Sequence, residues 1–316
     1  MRTERISAND AGQRLDKYMS KRFRGMPQSL LYKYIRNKCV RVNGVHAKEN
    51  TVLAEGDTLT YYISDEFFGV SGKSRAFCRL KPDIRVVYED ANILIADKIA
   101  GMSVQPDDTQ TSGTLVDHLK AYLMMRGEYN PDIEKSFAPA LCNRIDRNTS
   151  GLVIAAKNAE ALRIMNDIIR SREIKKTYLA AAHGIFAVKE DTVRLLLEKN
   201  SEENRVKVRK TGGKNVKTAV TSYKVIAEKN GLSLLEIDLH TGRTHQIRAT
   251  MAEIGHPLLG DGKYAENAED RRKGYSHQQL CSYSLKFVFT SDRGILNYLS
   301  GREFRASTPE FVSIFE

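Results

Sequence analysis

The feature that most constrains the fold of this chain is a short apolar run, residues 152–156, that directly follows a charged and polar loop. The loop reads Asn143-Arg144-Ile145-Asp146-Arg147-Asn148-Thr149-Ser150-Gly151. A run of this length bounded by turn residues is typical of a buried strand. A carboxylate beside such a strand is held in a fixed geometry, and flanking arginines favour its ionised form. The pattern indicates a catalytic loop around Asp146, although a solvated surface loop is the alternative for an Arg-x-Asp-Arg taken alone.

The length of 316 residues predicts about two domains, at roughly 100–200 residues each. Four cysteines are scattered without a Cys-x-x-Cys pair, so neither a zinc site nor a disulfide framework is indicated. The apolar runs are far shorter than the ~18 residues of a membrane helix, and the N-terminus lacks an apolar signal core. We therefore expect a cytoplasmic protein that makes no membrane contact.

Positive charge is concentrated near the N-terminus. The chain has 50 Lys and Arg against 39 Asp and Glu, a net charge of +11. Residues 1–62 carry twelve of these basic residues and six acidic ones, so the first fifth of the chain holds more than half of the excess. Such a distribution predicts a polyanionic partner bound by a small basic module.

The first module, residues 1–63, shows two helical patterns followed by a hairpin. Leu15, Tyr18 and Met19 share one helical face, and Leu30, Leu31, Tyr34 and Ile35 share another. Residues 40–45 then read as two short strands joined at Asn-Gly, the strongest local hairpin signal. A Gly- and Ser-containing stretch, residues 64–82, predicts a linker to a second domain at residues 83–316.

The order of these patterns resembles the small RNA-binding module named after a small-subunit ribosomal protein. The resemblance implies an α+β module in which basic residues face RNA phosphates, whereas composition alone leaves an ordinary solvated face open. The implied RNA-binding residues are Arg14, Lys33, Arg36, Lys38 and Arg41.

The second domain alternates strand and helix patterns, which predicts an α+β class with a central, largely antiparallel or mixed sheet flanked by helices. Within it, residues 199–217 are polar and basic and read as an exposed hairpin or loop. RNA contact and plain solvation both remain open for this segment.

Common catalytic motifs are absent: the sequence has no phosphate-binding loop, dinucleotide fingerprint, nucleophile elbow or His-Glu-x-x-His. His240 and His245 are five residues apart and lack a carboxylate cluster, so we predict no metal site. The remaining candidates for a site are three polar segments between apolar strand patterns, at residues 143–151, 175–178 and 243–248. Because charges near a core are costly unless they are paired or functional, we expect Arg248 to pair with Asp146, with Tyr178 packed over the same spot.

These segments resemble the signatures of RluA-type pseudouridine synthases, in the same order. Arg144-Ile145-Asp146-Arg147-Asn148-Thr149-Ser150-Gly151 is similar to the family's Arg-Leu-Asp-x-x-Thr-Ser-Gly, and Lys176-Thr177-Tyr178-Leu179-Ala180 to its Lys-x-Tyr-x-Ala. Gly242-Arg243-Thr244-His245-Gln246-Ile247-Arg248, followed by a Gly-His-Pro-Leu-Leu-Gly-Asp turn at residues 255–261, is similar to the third motif. The family more often has His where this chain has Asn143.

The resemblance implies a pseudouridine synthase catalytic domain that isomerises uridine in RNA without a cofactor. Asp146 would be the nucleophile, attacking either sugar or base, with Arg248 as its counter-ion and Tyr178 stacking on the uracil. Arg144 would fill the space left by a flipped-out nucleotide. The implied substrate contacts are Arg144, Arg243, His245, Ile247 and Leu258, of which Ile247 and Leu258 form apolar walls.

Two other functions compete with this hypothesis. An RNA-binding protein without turnover would explain the charge but not the set of Asp146, Tyr178 and Arg248. A hydrolase that uses Asp146 as a base would usually require a second carboxylate or a metal. Ribosomal RNA is the expected partner, transfer RNA is the alternative, and we expect a monomer.

Overall fold

The computed structural model of the protein describes residues 1–68, 76–108, 110–200 and 205–316. Its first part is a four-stranded antiparallel sheet with two helices, in the strand order β1-β4-β2-β3. In chain order the elements are β1 (Arg2–Arg5), α1 (Leu15–Arg22), α2 (Gln28–Arg36), β2 (Val40–Val42), β3 (Val45–His46) and β4 (Thr58–Tyr61). We refer to residues 1–68 as the N-terminal module and to the described residues from 76 onward as the main body.

The two predicted helices and the Asn-Gly hairpin of the N-terminal module are present. Helix α1 buries Leu15 and Tyr18, and these side chains pack with Leu31 of α2 in one apolar core. Asn43 and Gly44 have φ angles of 52° and 78°, as a tight hairpin turn of the Asn-Gly type requires. Strand β1 was not predicted, because its residues are almost all exposed and therefore show no apolar alternation.

The predicted linker, residues 64–82, is packed at both of its described ends. A short 3-10 turn at Asp65–Phe68 places Phe68 edge-on to Phe23 of the module. A second turn at Ala76–Arg79 buries Phe77 in the main body, next to Tyr129. The glycines and serines that motivated the linker prediction lie at residues 69–75, outside the described residues.

In its described part, the main body is built on an eleven-stranded sheet. The strand order is β11-β10-β12-β13-β9-β14-β8-β6-β5, with β7 paired to β8 and β15 to β14. The strands are β5 (Val86–Glu89), β6 (Ile93–Lys98), β7 (Ala140–Leu141), β8 (Ser150–Ala156), β9 (Ile174–His183), β10 (Glu190–Asn200), β11 (Arg205–Arg209), β12 (Val216–Lys229), β13 (Leu232–Leu239), β14 (Leu280–Phe287) and β15 (Glu303–Arg305).

The β8–β14 pair is parallel, and the other pairs of this sheet are antiparallel. The helices are α3 (Leu115–Met125), α4 (Ala159–Arg170), α5 (Gln246–Glu253) and α6 (Ala268–Arg272). The prediction of an α+β fold with a mixed, mainly antiparallel sheet is therefore confirmed. None of the helices in the described ranges combines the length and the apolar character needed to cross a bilayer.

Strand β8 is buried on both faces, which explains its continuous apolar sequence. Leu152 and Ile154 pack on the α4 side of the sheet, whereas Val153 and Ala155 pack on the α3 side. Strand β9 is shared in the same way: Leu179 packs on the α4 side and Tyr178 on the α5 side. The loop at residues 143–149 therefore ends at a strand that is buried on both faces.

Gly151 permits the close approach of β8 to β14. Its φ is +101°, and a Cβ atom at this position would lie 2.2 Å from the carbonyl oxygen of Ser282. Only glycine fits both constraints, which accounts for the Thr-Ser-Gly sequence at the start of the buried strand.

Candidate active site

The loop that carries Asp146 is fixed at both ends by hydrogen bonds. At its start, the Asn143 side-chain oxygen accepts from the Ile154 amide at 2.8 Å, and the Cys142 amide donates to the Ile154 carbonyl at 2.7 Å. At its end, the Thr149 amide donates to the Asp146 carbonyl at 3.0 Å. Asn143, the departure from the family pattern, therefore ties the loop to β8.

Lys98, at the end of β6, holds the middle of this loop from beneath. Lys98 is 1% exposed, and its ammonium donates to the carbonyls of Ile99, Met102 and Arg147 at 2.9, 2.9 and 2.8 Å. Arg147 also donates its Nε–H to the Gly101 carbonyl at 2.9 Å. Burial lowers the pKa of Lys98 to about 7, against the opposing charge of Asp146. Arg147 and Lys98 thus brace the loop.

The predicted pairing of Asp146 with Arg248 is present in the structure. Arg248 Nη1 lies 3.3 Å from Asp146 Oδ2, and the Asp146 side chain retains 27% exposure to the cleft. The main partner of Arg248 is a different carboxylate, Asp261, which is fully buried and accepts from Nε and Nη2 at 2.7 Å each. Burial alone would lower the pKa of Arg248, but hydrogen bonding to Asp261 and the charges of Asp261 and Asp146 raise it above its ordinary value.

Asp261 itself lies in a turn that is fixed by a second set of contacts. The amide of the preceding residue, Gly260, donates to Asp270 of α6 at 2.7 Å, and Asn267 donates to the Gly260 carbonyl at 3.0 Å. The Lys263 amide donates to Asp261 Oδ1 at 3.0 Å. The sequence analysis included this turn in the resemblance to the third motif but gave Asp261 no role of its own.

His245, at the start of α5, is close to Asp146 but is not a cation. Its Nε2 lies 3.8 Å from Asp146 Oδ2, beyond hydrogen-bonding distance. Burial lowers its pKa to about 4, an effect that the charge of Asp146 opposes and that of Arg248 reinforces, so the imidazole is neutral near pH 7. Its backbone is left-handed, with φ of 50°, which turns the chain sharply into α5.

Tyr264 connects this centre to the basic hairpin β10–β11. Its hydroxyl accepts from the Val206 amide at 2.9 Å and lies 3.1 Å from His245 Nδ1. The guanidinium carbons of Arg205 and Arg248 lie 5.1 and 5.3 Å from the ring centroid, within the range of cation–π contacts. The Tyr264 contact was not predicted, because the residues that it joins are distant in sequence.

Tyr178 lies in the same cleft as Asp146 and is 8% exposed. Burial raises its pKa to about 12, with a further contribution from the charge of Asp146, and a hydrogen bond with the Ser282 side chain opposes the shift. Its phenol is therefore neutral near pH 7. The Lys176 side chain also lines the cleft, and burial lowers its pKa.

The other predicted substrate contacts separate into two groups. Arg144, Arg243 and Ile247 line the cleft together with His245; Arg144 is exposed, and Arg243 donates to the Thr218 carbonyl at 3.1 Å. Leu258, predicted as a second wall, is not among the described residues that line the cleft. It is 1% exposed and packs with Tyr178 and Ile247 in the core, so it supports the wall from behind.

The cleft has a volume of about 1380 Å³ and a strongly basic lining. Two of its basic residues, Lys199 and Arg205, belong to the hairpin that the sequence predicted as exposed; residues 201–204 of that hairpin lie outside the described residues. Eleven of the described lining residues are lysines or arginines: Arg144, Arg147, Arg170, Arg172, Lys176, Lys199, Arg205, Arg243, Arg248, Lys263 and Arg271. This lining fits a polyanionic ligand.

The five basic residues predicted on the N-terminal module are all exposed there. Arg14 is partly engaged by Asp16 at 2.9 Å, and the Arg41 guanidinium lies 5.4 Å from the ring centroid of Tyr62. Lys33, Arg36 and Lys38 lie on or directly after α2, away from the residues that α2 buries.

Comparison with known proteins gives one consistent result. The family model described as RNA pseudouridylate synthase matches residues 92–253. An RNA pseudouridine synthase of Aquifex aeolicus is 32% identical over 265 residues, covering 80% of this chain and 77% of the relative. A relative from Haemophilus ducreyi, named ribosomal large subunit pseudouridine synthase C, is 30% identical over 292 residues, covering 89% and 86%. The solved structure of human RNA pseudouridylate synthase domain containing 4 shares the fold, with a TM-score of 0.57 and 19% identity over 73% of this chain and 90% of that one.

Proposed function

Since this chain belongs to the RNA pseudouridylate synthase family, we propose that Asp146 is its nucleophile and that ribosomal RNA is its substrate. Family membership makes the chain an RNA-modifying isomerase rather than a binding protein without turnover. Neither the identity of the nucleophile nor the RNA follows from membership alone, so each needs its own support.

The observation that carries the assignment of Asp146 is its position between Arg248 and the open cleft. One carboxylate oxygen contacts Arg248 at 3.3 Å, while the side chain remains partly exposed to a site large enough for a nucleotide. A buried guanidinium that is held by a second carboxylate cannot turn away from Asp146. The carboxylate is thus kept oriented and ready to attack, as a nucleophile requires.

The reaction rearranges uridine without adding or removing atoms. The bond between ribose C1′ and uracil N1 breaks, the base rotates, and a bond from C1′ to C5 forms. N1 gains a proton and C5 loses one, so no oxidant, reductant or co-substrate is consumed. Asp146 forms a transient covalent bond, to the sugar or to the base, that holds the intermediate while the uracil turns.

Tyr178 is proposed to act on the proton at C5. Because its pKa is raised to about 12, a tyrosinate is rare near pH 7. The hydroxyl therefore serves as a relay, which accepts one proton while it releases its own. The phenol ring and Ile247 provide apolar surface for the base, and both lie in the same core cluster beneath the cleft.

Arg144 is proposed to occupy the space that the flipped uridine leaves in the RNA. It is exposed at the rim of the cleft, two residues before Asp146, and carries a flat cation that can stack on neighbouring bases. Arg147, by contrast, is engaged with Gly101 behind the loop.

Ribosomal RNA is favoured by the names of two relatives. Relatives from Haemophilus ducreyi and Buchnera aphidicola, each 30% identical, are named ribosomal large subunit pseudouridine synthase C. The N-terminal module also presents exposed basic residues, as an RNA-binding module requires. Pseudouridine mapping of ribosomal and transfer RNA from cells with and without the protein tests this proposal. Loss of pseudouridine from transfer RNA alone would overturn it.

The test of the nucleophile is the Asp146→Asn variant, which keeps the shape of the side chain but removes its charge. We expect no pseudouridine formation in single-turnover assays, with RNA affinity retained. The matched control is Asp108→Asn, which makes the same charge change at an exposed position outside the cleft lining and should leave turnover unchanged. Turnover in Asp146→Asn would rule out Asp146 as nucleophile.

A further inference from the structure

The loop between β1 and α1 contacts the main body through a buried carboxylate. Asp10 is 1% exposed, and its Oδ1 accepts from both the amide and the hydroxyl of Ser136, at 3.1 and 2.6 Å. Its Oδ2 accepts from Ser7 at 3.0 Å, and Gln13 donates to the Ser136 hydroxyl at 2.7 Å. Because burial of the Asp10 carboxylate is costly without these hydrogen bonds, it requires the N-terminal module and the main body to be in contact.

The same loop holds the first turn of α4. The Asn9 side-chain oxygen accepts from the amide of Ala159, the first residue of the helix, at 3.0 Å, and its amide group donates to Glu134 at 3.1 Å. One turn further on, Arg163 donates to the Ala11 carbonyl at 3.3 Å. We call residues 9–13 the docking loop.

Helix α4 connects the docking loop to the cleft. Its N-terminal turn carries the contacts to Asn9 and Ala11, whereas Ile169 and Arg170 at its other end line the cleft. Twelve residues in one helix span ~18 Å. Ser136 provides a second path, because it lies six residues before Cys142, which also lines the cleft.

We propose that the docking loop locks the N-terminal module onto α4 in one orientation, so that the helix sets a fixed distance between the module and the cleft. Asn9, Asp10 and Gln13 are then specificity-determining residues: a uridine is modified only where the RNA fold reaches the module and the cleft at that spacing. The role of these residues in choosing a uridine rests on the proposed function, whereas the rigid docking of the module does not.

The test variant is Asn9→Ala/Asp10→Ala/Gln13→Ala, which removes the hydrogen bonds that these three side chains make to the main body without touching the apolar core of the module. Its matched control is Gln28→Ala/Asn50→Ala/Glu55→Ala, which removes the same kinds of residue, and one negative charge, from exposed positions of the module. Near-native thermal unfolding of both proteins would confirm that each module remains folded.

Orientation is measured with residual dipolar couplings from the full chain. We expect one alignment tensor to fit both the module and the main body in the wild type and in the control, and two different tensors in the docking-loop variant. A wild type that needs two tensors would overturn the proposal. So would a docking-loop variant that still fits one.

Site selection is then measured by mapping pseudouridines formed in deproteinised total RNA. We expect the ratio of modification at the wild-type target to modification at other uridines to fall by about tenfold in the docking-loop variant, because a flexible link lowers the effective concentration of correctly placed contacts. Two tensors with unchanged selectivity would disprove the link between docking and specificity. If the wild type forms no pseudouridine at all, the proposed function fails while the tensor result stands.

Discussion

Arg248 and Asp261 form a buried bidentate ion pair in which both nitrogen–oxygen distances are 2.7 Å. The remaining guanidinium nitrogen, Nη1, lies 3.3 Å from Asp146. Asp261 therefore orients the guanidinium, and Asp146 receives the one nitrogen that faces the cleft. Asp261 is not among the described residues that line the cleft, yet through Arg248 it positions Asp146, the proposed nucleophile.

The Asp261→Asn variant should lose both stability and turnover. Removing one partner of a buried ion pair leaves the other charge uncompensated, at a cost of about 3 kcal/mol in the free energy of unfolding. A guanidinium displaced by about 1 Å should lower single-turnover rates about 100-fold. Urea denaturation and pseudouridine assays measure the two effects.

The matched control is Asp238→Asn. It breaks an ion pair with Lys175, between β13 and β9, that is more exposed than the pair of Arg248 and Asp261. Its expected cost is below about 1 kcal/mol. Wild-type turnover in Asp261→Asn would show that the bidentate pair does not orient Arg248.

The Lys98→Met variant should change how stability depends on pH. The folded pKa of Lys98 is about 7, whereas an unfolded lysine titrates near about 10.4. Between these values the unfolded chain binds a proton that the folded chain lacks, so raising the pH stabilises the folded wild type; this contribution is lost as the pH falls through about 7. The free energy of unfolding of the wild type minus that of Lys98→Met should therefore increase from about pH 7 to about pH 10. A difference that is flat or falls over this range would contradict the lowered pKa.

The Gly151→Ala variant should be severely destabilised, because its Cβ would meet the Ser282 backbone at 2.2 Å. We expect a loss of at least about 3 kcal/mol in the free energy of unfolding, from the clash and the positive φ together. Gly231→Ala separates the two causes, since its φ is +74° but no atom lies within 4 Å of the added Cβ. Its cost should be about 1 kcal/mol. Equal losses in the two variants would mean that the β8–β14 approach is not limiting.

Replacing Lys33, Arg36 and Lys38 together with Gln should weaken RNA binding in a salt-dependent manner. If all three contact phosphates, the slope of log affinity against log salt concentration should become less steep by about 2. Turnover at saturating RNA should change little, because these residues lie outside the cleft lining. The control replaces Lys224, Lys229 and Lys286, three exposed lysines of the main body that are also outside the lining, and should retain the wild-type slope. An unchanged slope in the first variant would argue against RNA contact by α2.

Much of the architecture could be predicted because local patterns and tertiary burial agree. The apolar run at residues 152–156 predicted a buried strand, and β8 is buried on both faces. The Asn-Gly turn predicted a hairpin, and Asn43 and Gly44 have the required positive φ angles. Strand β1 escaped prediction because an exposed edge strand has no apolar alternation to detect.

The candidate site was predicted less completely. Asp146, Tyr178 and Arg248 stood out as polar residues in apolar surroundings, and they share one cleft. Leu258 was misplaced because an apolar residue next to a motif can lie either in the wall or behind it, and sequence does not distinguish the two. Lys98 gave no signal, since its three acceptors are backbone carbonyls that any sequence would supply.

The sequence by itself identified polar residues at positions where the apolar pattern predicts a buried core. These residues lie in the three segments that form the site. The sequence also predicted the contact between Arg248 and Asp146, but only the tertiary structure showed the other partners of these residues. In the folded chain Arg248 pairs mainly with Asp261 and more weakly with Asp146. Lys98 donates to the carbonyl of Arg147, 49 residues away, and the N-terminal module contacts the first turn of α4. The physical reason is that periodicity records burial along the chain, whereas ion pairs and hydrogen bonds depend on distances and angles that arise only when remote segments pack together.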